Sequence, residues 1–81
     1  MDHPHIFSLT DLSVDHQATV SAFNIGTSET TRLVSLGFTP GVEVSMRQNY
    51  GRGPLIVTVR GTHVALGRDE AARILVKQNA G

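Results

Sequence analysis

Val42-Glu43-Val44-Ser45-Met46-Arg47 and, after a loop, Leu55-Ile56-Val57-Thr58-Val59 decide how this chain folds. In the first stretch Val42, Val44 and Met46 alternate with Glu43, Ser45 and Arg47, the period of two that marks a strand with one buried face. The second stretch is nearly apolar on both sides, with Leu55, Val57 and Val59 on one face and Ile56 and Thr58 on the other. Gly51, Gly53 and Pro54 make the loop between them, with Arg52 at its tip. Gly61-Thr62, between Arg60 and His63, reads as a two-residue hairpin turn with Gly first, and Val64 and Leu66 continue the return strand. Three short strands in succession, joined by a loop and a tight turn, are expected to pair antiparallel.

The flanking sequence extends it. Upstream of Val42, Thr39-Pro40-Gly41 is a tight turn, with Pro fixing φ and Gly permitting a positive φ. A helix is expected at about residues 28–36, capped by Thr27 or Ser28 and with Glu29 in its first turn. It presents Leu33 and Leu36 three apart, and Gly37 sits where a left-handed residue closes a helix. About nine residues do not hold a helix alone in water, so this one depends on the rest of the domain. Ala18, Val20 and Ala22 alternate with Gln17, Thr19 and Ser21 as a strand, and Phe23 breaks the alternation. Phe7, Leu9 and Leu12 suggest a first strand and a turn. Gly67 to Arg73 holds one helical turn, and Ile74, Leu75 and Val76 form a last strand. Five or so short strands and one short helix imply a mainly β fold, a small antiparallel barrel closed or nearly closed. Its expected core is Val20, Leu33, Leu36, Val44, Val57, Val59, Val64, Leu66 and Ile74. One domain spans residues 1–81, ordered over about 6–77.

Composition sets limits. A chain of 81 residues with 40% apolar content, no Trp and three Phe builds one aliphatic core and no large ligand cavity. Without cysteine there are no disulfides and no thiolate metal sites. Seven basic residues balance seven acidic ones, so no general field draws nucleic acid, and none is expected as a partner. Residues 1–8 lack the pattern of a signal peptide and no run suits a membrane span, so a cytoplasmic protein is expected, held at the inner face of the membrane only through a partner.

Arg32-Leu33-Val34-Ser35-Leu36-Gly37-Phe38-Thr39-Pro40-Gly41 resembles the family of ferrous iron transport protein A, FeoA. The likeness continues in order through Gly53-Pro54, Val57-Thr58-Val59-Arg60-Gly61, Val64-Ala65-Leu66 and Asp69-Glu70-Ala71-Ala72-Arg73-Ile74-Leu75-Val76. It covers about Leu9 to Val76, and the ordered set is far more specific than any single piece. The resemblance implies an SH3-like barrel and a small cytoplasmic accessory that binds and modulates FeoB, the membrane ferrous-iron transporter, through its cytoplasmic GTP-binding part. The alternative it carries is a regulatory SH3-like domain acting with a metal-dependent transcriptional repressor; no helix-turn-helix precedes the module here. Asp15 departs from the family by standing where many relatives have Gly, and Gly67 by standing where a basic residue is common.

Chemistry finds little purchase. His3 and His5 lie at the terminus, His16 in a turn and His63 on a strand, short of the converging ligands a transition metal needs. No metal site and no cofactor are expected. No serine has the setting of a nucleophile elbow. Asp69 and Glu70 are adjacent and so do not face each other on a helix. Gly51-Arg52-Gly53 lacks the Lys-Ser/Thr of a phosphate loop. The chain is therefore read as no enzyme. Arg47, Arg52 and Arg60 are either a patch for an acidic partner surface or a phosphate, or a solvated strand face with Glu43 nearby. The expected partner-binding residues are Arg32, Leu36, Phe38 and Pro40, on a loop stiffened by Gly37 and Pro40-Gly41; any self-association is expected to be weak. Phe38 there is either a contact residue, whose loss spares the melt, or a plug for the barrel end, whose loss lowers it.

Overall fold

The computed structural model describes residues 5–78. In chain order these are β1 (Ile6–Ser8), a 3-10 turn (Leu9–Asp11), β2 (Gln17–Phe23), α1 (Thr27–Ser35), β3 (Glu43–Gln48), β4 (Leu55–Val59), β5 (Thr62–Leu66), α2 (Arg68–Ala71) and β6 (Ile74–Gln78). The six strands form one antiparallel sheet in the order β1-β6-β2-β3-β4-β5. β1 and β5 are its two edges and do not pair, so the barrel expected from the sequence stays open between them. β1 has three residues, and its paired edge is taken by β6.

Alternation puts Val44 and Met46 of β3, Leu55, Val57 and Val59 of β4, Val64 and Leu66 of β5, and Ile74 and Val76 of β6 on the covered face. Leu9, Leu12, Ala18, Val20, Leu33 and Phe38 complete one apolar cluster, and no polar or charged side chain among the described residues is buried with them.

Leu36, the second strand and the β4–β5 turn depart from expectation. Leu36 is 37% exposed rather than in the core. It lies just past the last turn of α1, and its place is taken by Phe38. A Schellman motif closes the helix: the Phe38 N–H donates to the Leu33 carbonyl (2.9 Å) and the Gly37 N–H to that of Val34 (3.0 Å), with Gly37 at φ 105°. This reversal brings Phe38 beside Leu33, and both are fully buried. Ala22 is exposed because the register with β6 slips between Val20 and Ala22, a bulge at Ser21 that exchanges the faces of the strand. The β4–β5 hairpin turns on Arg60-Gly61 rather than Gly61-Thr62: Val59 pairs with Thr62, and both turn residues have positive φ, 51° and 77°. That is the primed turn whose twist suits a hairpin, and Arg60 adopts the left-handed conformation to make it.

Gly26, rather than Thr27 or Ser28, is the N-cap of α1, with no side-chain cap, and Thr27 and Ser28 lie within the first turn. Asp15 has φ 70°, a conformation Asp tolerates better than most residues. The Thr39–Val42 turn is closed by the Val42 N–H to the Thr39 carbonyl at 3.0 Å, and Gly41 at φ 94° stands in open space. Gly41→Ala therefore meets backbone strain and no clash. We expect a loss of about 1 kcal/mol, measured as a lowered urea midpoint with unchanged slope.

Candidate functional site

The end of α1 and the turn after it carry the four residues singled out in the sequence, and the structure divides them. Phe38 is fully buried. It plugs the core beneath the helix end, so as a contact residue it is withdrawn; the short chain reversal at Gly37 leaves its ring nowhere to point but inward. Arg32, Leu36 and Pro40 are exposed. Val34, which the sequence reading did not single out, joins them at 45% exposure. Leu36 and Val34 are apolar, and the loop that bears Pro40 is held by the Gly41 N–H on the Val20 carbonyl (2.8 Å) and the Val20 N–H on the Val42 carbonyl (2.8 Å). Arg32 forms an ion pair with Glu70 of α2, tying the two helices together. Its side chain remains 52% exposed, and a pair so solvated adds little stability.

Arg60 reaches the same end of the helix. Its Cδ lies 3.2 Å from where a Cβ on Gly37 would stand, so Gly37 is required by both its backbone conformation and the arginine stem packed on it. Arg47 sits elsewhere. It occupies the bulge between the Met46–Val57 and Gln48–Ile56 pairs, whereas Arg60 lies beyond Val44–Val59 at the other end of the β3–β4 ladder. The two do not form the compact patch the sequence left open.

A polar cluster invisible in the sequence holds the opposite end together. The Asn49 amide donates to the carbonyls of Thr10 (2.9 Å) and Leu12 (3.1 Å). Its oxygen accepts from the Gly51 N–H (3.2 Å) and from Arg68 (2.9 Å), which also donates to the Gly53 carbonyl (3.2 Å). One side chain thus joins the 3-10 turn, the β3–β4 loop and α2. The only local signal was Asn two residues before Gly, which suits an Asx turn; its partners lie 37 and 39 positions away.

Two clefts open on the described surface. One of about 260 Å³ is lined by Ile25, Glu29, Asp69, Glu70 and Arg73, and one of about 220 Å³ by His5, Phe7, Asp11 and Gln78. Glu70 is engaged by Arg32, His5 stacks on Phe7 at 5.4 Å, and Gln78 bonds the His16 ring at 3.0 Å. His63 is exposed on β5, and His3 lies outside the described residues. Among the described residues no three His, Cys, Asp or Glu side chains converge where they could hold a metal ion, and no helix is long and apolar enough to cross a membrane.

The fold and this surface define a small, mainly β module of SH3-like type with exposed apolar and basic side chains on a stiff helix end. Residues 7–78 match the model of the FeoA domain, and the chain belongs to that family. A relative from Methanocaldococcus jannaschii, named as a candidate Fe(2+) transport protein A, is 33% identical over 58 residues, 72% of this chain and 70% of its own. Among solved structures, an iron uptake regulatory protein (FeoA) superposes with a TM-score of 0.87 at 27% identity, covering 93% of this chain and all of its own. The FeoA of Stenotrophomonas maltophilia, described as a prokaryotic SH3 domain protein and crystallised with zinc, superposes with a TM-score of 0.76 at 33% identity, covering 86% of this chain and 88% of its own. A manganese-dependent transcriptional repressor reaches a TM-score of 0.86 at 17% identity with 45% of its length covered, a likeness of fold alone.

Proposed function

We propose that this protein is a non-catalytic accessory of ferrous-iron transport that binds the cytoplasmic GTP-binding part of a FeoB-type membrane transporter and modulates it. Its contact surface is the end of α1 and the following turn, formed by Arg32, Val34, Leu36 and Pro40. The observation that carries this reading is the exposure of Val34 and Leu36 on a helix end fixed by the Schellman motif and the Pro40-Gly41 turn. Side chains held so firmly lose little entropy on binding, and arginine, here Arg32, is enriched among the energetic centres of interfaces. Membership of the FeoA family, and the names its relatives carry, support ferrous-iron transport as the setting.

Leu36→Lys tests it. Leu36 is outside the core, so the melt should stay within about 2–4 °C of wild type, as expected for a surface substitution of about 0.5 kcal/mol. Binding to the intact transporter and to its soluble GTP-binding part, measured by calorimetry or pull-down, should weaken at least tenfold, about 1.4 kcal/mol. Unchanged affinity for both would move the contact surface elsewhere.

A further inference from the structure

The neutral chain is electrostatically divided. From Val44 to Arg68 it carries Arg47, Arg52, Arg60 and Arg68 and no Asp or Glu, while the remainder holds all seven acidic residues against three basic ones. The basic stretch runs from the second residue of β3 through β4 and β5 to the start of α2, the half of the sheet that ends at the open edge of β5. Among the described residues none of these four arginines pairs with a carboxylate: Arg68 donates to the Gly53 carbonyl and Asn49, and Arg60 lies over Gly37.

The outer edge of β5 is also unguarded. The two-residue turn makes Val59–Thr62 a hydrogen-bonded pair, and alternation along the ladder leaves His63 and Ala65, opposite Thr58 and Ile56, with their N–H and C=O groups directed away from β4. No strand among the described residues lies beyond them. Exposed edges are ordinarily protected by charges, proline or a bulge; Thr62-His63-Val64-Ala65-Leu66-Gly67 has no proline and no Lys, Arg, Asp or Glu, and its register with β4 is unbroken.

We propose that the β5 edge accepts an extended acidic segment of a partner protein as a seventh strand. The segment's backbone pairs with the free groups of His63 and Ala65, the strand-addition mode of recognition. An apolar side chain on its inner face covers Val64, at 8% the most exposed member of the core. Acidic residues at its two ends are drawn by the positive charge of Arg60 and Arg68, which flank β5 in sequence. Charge disfavours a second copy of the chain in the register centred on Val64. Two β5 strands paired about a two-fold axis at Val64 set His63 against Ala65 and bring Arg60 onto Arg68, like charges that oppose the pairing. This proposal stands apart from the transporter reading, and its test uses no transporter.

Isotope-labelled protein is titrated with a capped eight-residue peptide, Glu-Glu-Thr-Val-Thr-Val-Glu-Glu, and with the same centre flanked by lysines. The acidic peptide should bind with a Kd of roughly 0.1–1 mM, and slowed amide exchange should appear at His63 and Ala65, since Thr62, Val64 and Leu66 are already bonded to β4. The lysine peptide should bind at least fivefold more weakly at low salt. Ala65→Pro removes an outward N–H without touching the ladder to β4 and should abolish binding. Arg60→Asn suits the left-handed turn better than Arg and keeps the fold; it should weaken the acidic peptide at least threefold and narrow the gap between the peptides. Equal binding of the two peptides, no binding at several millimolar, or protection mapping away from β5 overturns the proposal. Concentration-dependent protection of His63 and Ala65 without peptide also overturns it, in favour of a second copy at this edge.

Discussion

Phe38→Ala will lose about 3–5 kcal/mol of stability, the range for truncating a fully buried aromatic ring. A domain of this length has roughly 4–12 kcal/mol in total, so the variant should lower Tm by more than about 12 °C and be partly unfolded at physiological temperature. The ring is the largest side chain in the core, and it is held there by the hydrogen bond from its own N–H to the Leu33 carbonyl. The cavity left under the end of α1 cannot collapse without pulling the Schellman motif apart. Phe38→Leu, which keeps most of the volume, should cost under about 1.5 kcal/mol. Urea and thermal melts decide the matter. A Phe38→Ala melt close to wild type would return Phe38 to the surface set together with Leu36 and Pro40.

Asn49→Ala is expected to cost about 2–3 kcal/mol, although it removes no apolar contact. Four hydrogen bonds end on this one half-buried side chain. Truncation leaves the carbonyls of Thr10 and Leu12 without their donor and Arg68 without one of its acceptors, and unmade bonds at such sites cost more than formed ones contribute. Asn49→Asp makes the sharper comparison. It keeps an acceptor for Gly51 and Arg68 but sets a carboxylate oxygen where the amide donated to two carbonyls, so it too should destabilise. Equilibrium unfolding measures both, and faster amide exchange at Gly51 should accompany them. Either variant lying within about 0.5 kcal/mol of wild type would show that this clamp is ornamental to stability.

Much of the fold could be read in the residues themselves. Val44 and Met46, Val57 and Val59, and Val64 and Leu66 alternate with polar or exposed neighbours, and a period of two leaves them one way to be buried together. The Pro40-Gly41 turn and the glycine after α1 are equally local: each demands a backbone angle that few residues supply, and Gly41 at 94° and Gly37 at 105° have it. Legibility stopped where a local pattern is interrupted by something distant. The bulge at Ser21 depends on how β6 registers against β2, and it put Ala22 outside. The hairpin turned one residue early, onto Arg60-Gly61, because pairing with β4 fixed Val59 opposite Thr62. Asn49 looked like an ordinary loop residue because the carbonyls it holds arrive from the far end of the sequence.

The candidate site shows the same division. That a closed helix end bearing Arg32, Leu36 and Pro40 exists was determined by the sequence, because Pro40 fixes its own φ and Gly37 and Gly41 admit at little cost the positive φ that the closure and the turn require. Which of its hydrophobes faces the solvent was decided only by the tertiary structure. Leu36 and Phe38 are both large, apolar and two residues apart across a chain reversal, so composition and spacing cannot rank them. The space beneath the helix, bounded by Leu33 and the sheet, admits one of the two, and the Schellman closure delivers Phe38 into it and leaves Leu36 outside.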